Sequence, residues 1–213
     1  MGLSHSPRIV TDGLVFCVDA GDKMSYPGAG TTWTDLSKNR SNGTLINGPT
    51  FDSANGGSIV FDGTNDYVDF GSQVANLSTS TISFWINYNV LGSTHNSPIG
   101  YDANPYDYVI LFWSDNIYYR ADVSRGGEHG TINAGSWYNF TMTRDSSYIR
   151  FYKNNNLLHQ HSPIDLGETI NIEWIGRGYV YDNAKISLVH VYNRALSAAE
   201  ITQNYNATRG RFQ

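Results

Sequence analysis

The chain has 213 residues, a formal net charge of −5, 14% aromatic residues and only 15% charged residues. An acidic, sparsely charged chain lacks the clustered Lys and Arg of an electrostatic nucleic-acid binder, and its composition excludes long charged helices. No window reaches the apolar length of a membrane span, and a single cysteine, Cys17, excludes an intramolecular disulfide.

In chain order, residues 1–12 read as an arm without the apolar core of a signal peptide, so synthesis in a cytoplasm is expected. Leu14 to Asp19 is the first strand, with Cys17 a buried structural thiol within it. Residues 20–51 are rich in Gly, Pro, Asn, Asp and Ser and read as an ordered surface loop anchored by Trp33, Leu36, Leu45 and Ile46. In residues 58–71, Ile59 and Phe61 alternate, Asp62-Gly63 and Asn65-Asp66 form a turn, and Tyr67, Val68 and Phe70 resume, which predicts a hairpin. Thr81 to Val90 is a clean strand with Ile82, Phe84, Ile86 and Tyr88 on one side and Trp85 on the other. Further hairpins are predicted around residues 114–116, 145–147 and 154–156, and a strand over 173–177.

The last segment, AKISLVHVYNRALSAAEITQNY, is a strand followed by a short helix. Ser197 and Glu200 have capping-box spacing, Leu196 and Ile201 are placed as a hydrophobic staple, and Gly210 is a plausible stop. Arg194 is expected to hold the corner through a carboxylate or carbonyl. This helix is expected to seal one end of the fold through Leu196, Ile201 and Tyr205. Roughly a dozen short strands with regular turns predict an all-β fold, an antiparallel β-sandwich of jelly-roll type with a short C-terminal capped α-helix. The expected organisation is an arm over 1–12 and one domain over 13–213.

Three segments together, SIVFDGTNDYVDFG, TISFWIN and ISLVHVYNRALSAAEI, resemble the laminin-G-like, concanavalin A-like lectin/glucanase superfamily. SWYNFTMTRDSSYIRFYKNNNLL and WTDLSKNRSNGTLINGPTF match further segments of that pattern in family order, with Asn154 to Asn156 replacing the usual Asp-Gly turn. The SYPGAGTTWTDLS opening and the RALSAAEITQNYNATRGRF ending further resemble sandwich proteins carried on virions of tailed bacteriophages. The resemblance implies a concanavalin A-like jelly roll and a non-enzymatic virion structural role, as a capsid decoration or a tail or fibre component. Other virion proteins or copies of itself would then be its partners, the virion its location, and host-surface carbohydrate a ligand.

The residues limit the chemistry. The four glutamates, Glu128, Glu168, Glu173 and Glu200, lack the spacing that would set two carboxylates about 5 Å apart, so a glycoside hydrolase ranks last. The alternative is a calcium-dependent carbohydrate-binding lectin module. Asp62, Asn65, Asp66 and Asp69 cluster in sequence around one turn, with Asp182 approaching from the last strand, as a possible Ca²⁺ set; turn formation explains the same residues. For glycan or partner contact the candidates are Tyr101, Tyr106, Tyr118, Tyr119, Tyr179 and Tyr181, with Trp85 and Trp113 as further stacking surfaces or core.

Overall fold

A computed structural model describes residues 7–72, 74–91, 95–101, 108–113, 116–119, 125–128, 130–162 and 169–213. In chain order the strands are β1 (Leu14–Asp19), β2 (Thr32–Trp33), β3 (Gly43–Ile46), β4 (Thr50–Asp52), β5 (Ser58–Asp62), β6 (Tyr67–Asp69), β7 (Asn76–Leu77), β8 (Ser80–Tyr88) and β9 (His95–Gly100). They continue as β10 (Tyr108–Trp113), β11 (Asn116–Tyr119), β12 (Arg125–Glu128), β13 (Trp137–Arg144), β14 (Ile149–Lys153), β15 (Asn156–His161), β16 (Ile170–Asn171), β17 (Trp174–Ile175) and β18 (Asn183–Tyr192), followed by helix α1 (Ala198–Thr208).

Two eight-stranded antiparallel sheets form a sandwich. The first runs β15-β14-β13-β8-β18-β5-β4, with β1 also paired to β18; the second runs β12-β11-β10-β9-β17-β6-β3-β2. β7 and β16 make a small separate pair. Ile59, Phe61, Ile82, Phe84, Ile86, Ile186, Val189 and Val191 of the first sheet meet Val68, Ile99, Ile110, Phe112, Ile117 and Ile175 of the second in one core. These are the inward members of alternating strands, and burying them from both sides is what makes the sandwich stable.

β18 is central and departs once from strict alternation. Ser187 is an extra residue between Ile186, opposite Ile86, and Leu188, opposite Trp85. The bulge re-aims the strand, and Ser187 Oγ donates to Gly57 O at 2.6 Å. Beyond it Val189 and Val191 face the core, while Leu188 and Tyr192 pack on the opposite side with residues of α1 and the C-terminus.

That outer side is covered. Ser197 and Glu200 form the complete capping box, and Leu196 and Ile201 share a cluster with Tyr192 and Val10. Arg194 forks onto both Glu200 oxygens, at 3.0 and 2.6 Å, and its Nε reaches Asp12 at 2.9 Å. Arg8 and Val10 of the arm are part of the same lid: Val10 N–H donates to Asn204, Tyr192 Oη donates to Val10 O, and Gln203 donates to Arg8 O. The helix thus lies on the outer face of the first sheet and does not seal an end of the sandwich. An end seal needs apolar side chains only at strand termini, whereas Leu188 and Trp85 lie mid-strand. Gly210 also does not stop the helix in a left-handed conformation; a 3₁₀ turn over Arg209–Arg211 continues the chain to a buried Phe212.

Two other expectations are corrected. β5 and β6 are not a hairpin: β5 pairs with β4 and β18 in the first sheet, and β6 with β3 and β17 in the second. The Asp62–Asp66 turn is an arch between sheets, and a local turn signal does not say which strands the flanking runs will pair with. Residues 20–51 are also more than a loop, since they contribute β2, β3 and β4. Asp35 organises this stretch. It is fully buried, its Oδ1 accepts from Cys17 N and Ser37 N, and its Oδ2 accepts from Ser37 Oγ and Ser41 N. Cys17 is buried as expected, and burial pushes its thiol up to about 12, which keeps it inert.

The Asn154-Asn155 turn keeps the expected geometry, with φ of 49° and 67° joining β14 to β15 as in a two-residue hairpin.

Candidate functional site

The outer face of the second sheet carries no helix among the described residues, and its polar and aromatic side chains gather at one place. On β6, Val68 points into the core while Tyr67 points outward; on β17, Ile175 points inward and Trp174 outward. β17 ends at Gly176, with φ of 80°, where an added Cβ would lie 2.5 Å from the Phe61 ring, so only glycine allows the turn. The chain then doubles back: Arg177 bridges to Tyr181, Gly178 N–H donates to Val180 O, and Asp182 N–H donates to Gly176 O.

Asp182 anchors this loop from below. Its carboxyl is buried, with Oδ1 accepting from Ser97 N at 2.7 Å and Oδ2 from Tyr88 Oη at 3.4 Å. Burial pushes its pKa up to about 7, against the opposing effect of the Ser97 and Tyr88 hydrogen bonds.

The loop delivers Arg177 onto an aromatic frame. Its guanidinium carbon is 3.8 Å from the Trp174 ring centroid, 5.0 Å from that of Tyr67 and 5.6 Å from that of Tyr181. Tyr67 and Tyr181 are 6.1 Å apart. Tyr179, half exposed at 50%, stands beside His95 with centroids 5.0 Å apart. Such a group combines a planar cation with stacking rings, a surface chemically suited to sugars and their substituents.

Among the sequence-derived candidates, Tyr179 and Tyr181 come together in this loop. Tyr118 is half-buried on β11 of the same sheet, and Tyr101, after β9, packs partly against the core. Tyr119 pairs with Ile110 along β11, and its side chain lies outside the described residues, as do Tyr106 as a whole and the Trp113 side chain. Trp85 is no stacking surface: it is 1% exposed, stacked on Phe212 at 4.2 Å and on Tyr205 at 5.7 Å. Arg177, Trp174 and Tyr67 escaped the sequence reading. The signal for Arg177 and Trp174 lies in EWIGRGYVYD, where a glycine-flanked Arg sits between a Trp and two tyrosines.

Of the acidic candidates, Asp62 and Asp66 lie together in the 62–66 arch. Asp62 Oδ1 accepts from Thr64 N and Asn65 N, and these backbone bonds lower its pKa. The Asp66 carboxylate accepts from Asp62 N, with its pKa raised by burial. Asn65 O accepts from Asn47, Asp69 caps Gly71 N, and Asp182 is buried beneath the loop. Among the described residues no group of three or more His, Cys, Asp and Glu is placed to hold a metal ion. Likewise no described helix is long and apolar enough to cross a membrane.

Comparison with solved structures finds the same fold in domain 4 of AbnA, a GH43 extracellular arabinanase from Geobacillus stearothermophilus, in complex with arabinotriose. The TM-score is 0.74 at 13% identity, covering 92% of this chain and 100% of that one. The botulinum neurotoxin serotype D binding domain matches with a TM-score of 0.70 at 16% identity, covering 92% of this chain and 52% of that one. The Trypanosoma rangeli sialidase in complex with sialic acid matches with a TM-score of 0.68 at 13% identity, covering 98% of this chain and 36% of that one. This chain therefore spans about a third of the sialidase and about half of the neurotoxin binding-domain chain, and at these identities the likeness is one of fold. No curated protein sequence matches. The family profile of the concanavalin A-like lectin/glucanases superfamily matches residues 62–202, more than half of the chain, and with the two-sheet sandwich this places the protein in that superfamily.

Proposed function

We propose that this chain is a non-enzymatic carbohydrate-binding module whose binding face is the outer surface of the second sheet around Tyr67, Trp174, Arg177 and Tyr181. The observation that carries the reading is the aromatic frame with its stacked guanidinium on a rigid sheet, supported by Gly176 and Asp182. The AbnA domain in complex with arabinotriose, of the same fold and length class, supports a saccharide as the ligand type. Catalysis has no support from Glu200, whose carboxylate is held by Arg194 and the Ser197 cap with its pKa lowered to about 2. This reading does not call on calcium: among the described residues no group of three or more His, Cys, Asp and Glu is placed to hold a metal ion.

Within this reading the chain serves as a structural component of a tailed-phage virion, on the capsid or in the tail or a fibre. The support is the sequence resemblance of its opening and closing segments. Attachment to host-surface glycan is a task that joins the two roles.

A glycan array probed with the purified chain tests the binding reading. Binding to at least one glycan class, reduced at least tenfold by Tyr181→Ala, is the expected result; an array silent with and without Ca²⁺ would overturn it. Mass spectrometry of purified particles tests the virion role, which fails if the protein is missing from them.

A further inference from the structure

We infer that the saccharide this face takes is anionic, carrying a carboxylate or a sulfate ester that pairs with Arg177. The inference rests on the carbohydrate-binding reading above and narrows it to a ligand class.

Arginines elsewhere on the molecule show the contrast. Arg150 pairs with Asp145 at 2.8 Å, Arg194 with Glu200 and Asp12, and Arg211 with both oxygens of Asp19 at 2.8 and 2.7 Å. Arg177 is half-buried like them, yet no oxygen of the described residues accepts from its guanidinium. Among the described residues its guanidinium meets the rings of Trp174, Tyr67 and Tyr181. Asp69, opposite Trp174 in register, turns its Oδ1 to Gly71 N. A guanidinium has five N–H donors, and removing it partly from water without an acceptor is costly.

Geometry indicates which donors are on offer. The guanidinium carbon lies over the Trp174 ring at 3.8 Å, a stacking distance, and no acceptor for its N–H groups is found among the described residues. A planar fork held in this way matches two oxygens of a carboxylate or sulfate in a bidentate contact. Tyr67 and Tyr181 flank the cation, and their rings and hydroxyls suit the C–H faces and hydroxyls of the sugar ring that bears the anion. Neutral sugars offer no charge partner, so for them the pre-set fork would be a cost rather than a gain.

The test measures binding of the full chain to 3′-sialyllactose, a galacturonate oligosaccharide and 3′-sulfolactose, with lactose and a neutral galactose oligosaccharide as the uncharged counterparts. The expected result is at least about a tenfold preference for one or more anionic probes, the size of a charge-assisted bidentate contact. Arg177→Gln should bring anionic and neutral probes to the same level, Arg177→Lys should restore only part of the preference, and added salt should weaken it. Thermal melting of both variants checks that the fold is intact. Which probe binds separates carboxylate from sulfate. Equal binding of neutral and anionic probes, or binding that Arg177→Gln leaves unchanged while Tyr181→Ala removes it, overturns the inference and leaves the carbohydrate reading standing. Silence of every probe, on the array as well, removes both.

Discussion

The two outer faces of the sandwich use the same chemistry to opposite ends. On the first sheet, Trp85 lies under Tyr205 and Phe212, and Arg211 sits 5.1 Å from the Phe212 ring while forking onto Asp19 and donating to Ser187. On the second, Trp174 lies under Arg177, with Tyr67 and Tyr181 beside it and no carboxylate among the described residues to receive the charge. Both are tryptophan, tyrosine and arginine on a strand face. One is covered by the C-terminal segment and satisfied internally, and on the other the guanidinium has no oxygen acceptor among the described residues. The difference teaches that residue type on a β face does not mark a binding surface; the accounting of partners does.

Perturbing the two faces should therefore have unequal consequences. The largest is expected for Trp85→Ala, which empties the space under Phe212 and Tyr205 and should cost about 3–5 kcal/mol in chemical denaturation. Next comes Asp182, the support of the open face. Its carboxyl is raised from an ordinary 3.8 to about 7 by burial, so between those values the folded chain keeps a proton that the unfolded chain has released. Stability should decline as pH rises through that window and level off above it, and Asp182→Asn should flatten the profile of Tm against pH. A Tm profile of the Asn variant that still falls across the same window would show that another group is responsible.

Arg211→Met, which breaks the fork onto Asp19 on the closed face, should cost about 2 kcal/mol by urea unfolding. Ser197→Ala removes one half of the capping box, and a loss of about 1 kcal/mol is expected in the same measurement. The smallest effect belongs to Arg177→Met. With no oxygen partner to lose, it should change stability by no more than about 0.5 kcal/mol while altering ligand binding. A loss as large as that of Arg211→Met would make the two faces equivalent and the comparison empty.

Much of the architecture was legible because it is local. The alternation of Ile82, Phe84, Ile86 and Tyr88 predicts β8, the hairpin expected around 145–147 joins β13 to β14, and the Asn-rich turn after Lys153 adopts the positive φ that Asn tolerates. Misread features concern partners. The arch between β5 and β6 looks like a hairpin because both have turn residues between alternating runs, and only pairing with β18 and β17 separates them. The candidate site was half visible: Tyr179 and Tyr181 stood out as exposed-type aromatics, while Arg177 looked like an ordinary strand-end cation.

The sequence by itself determined the strand-rich class, the capped C-terminal helix and the burial of Cys17, which follow from periodicity, spacing or composition along the chain, and it pointed to the superfamily through the resemblance of several segments taken together. Tertiary structure alone decided which face the helix covers, that Trp85 is core and Trp174 a seat for a cation, and that Arg211 finds Asp19 while Arg177, among the described residues, finds aromatic rings. The reason is physical: side-chain type fixes what a residue can bond to, but whether a partner is within reach is set by chain segments far away in sequence, as Asp19 is from Arg211.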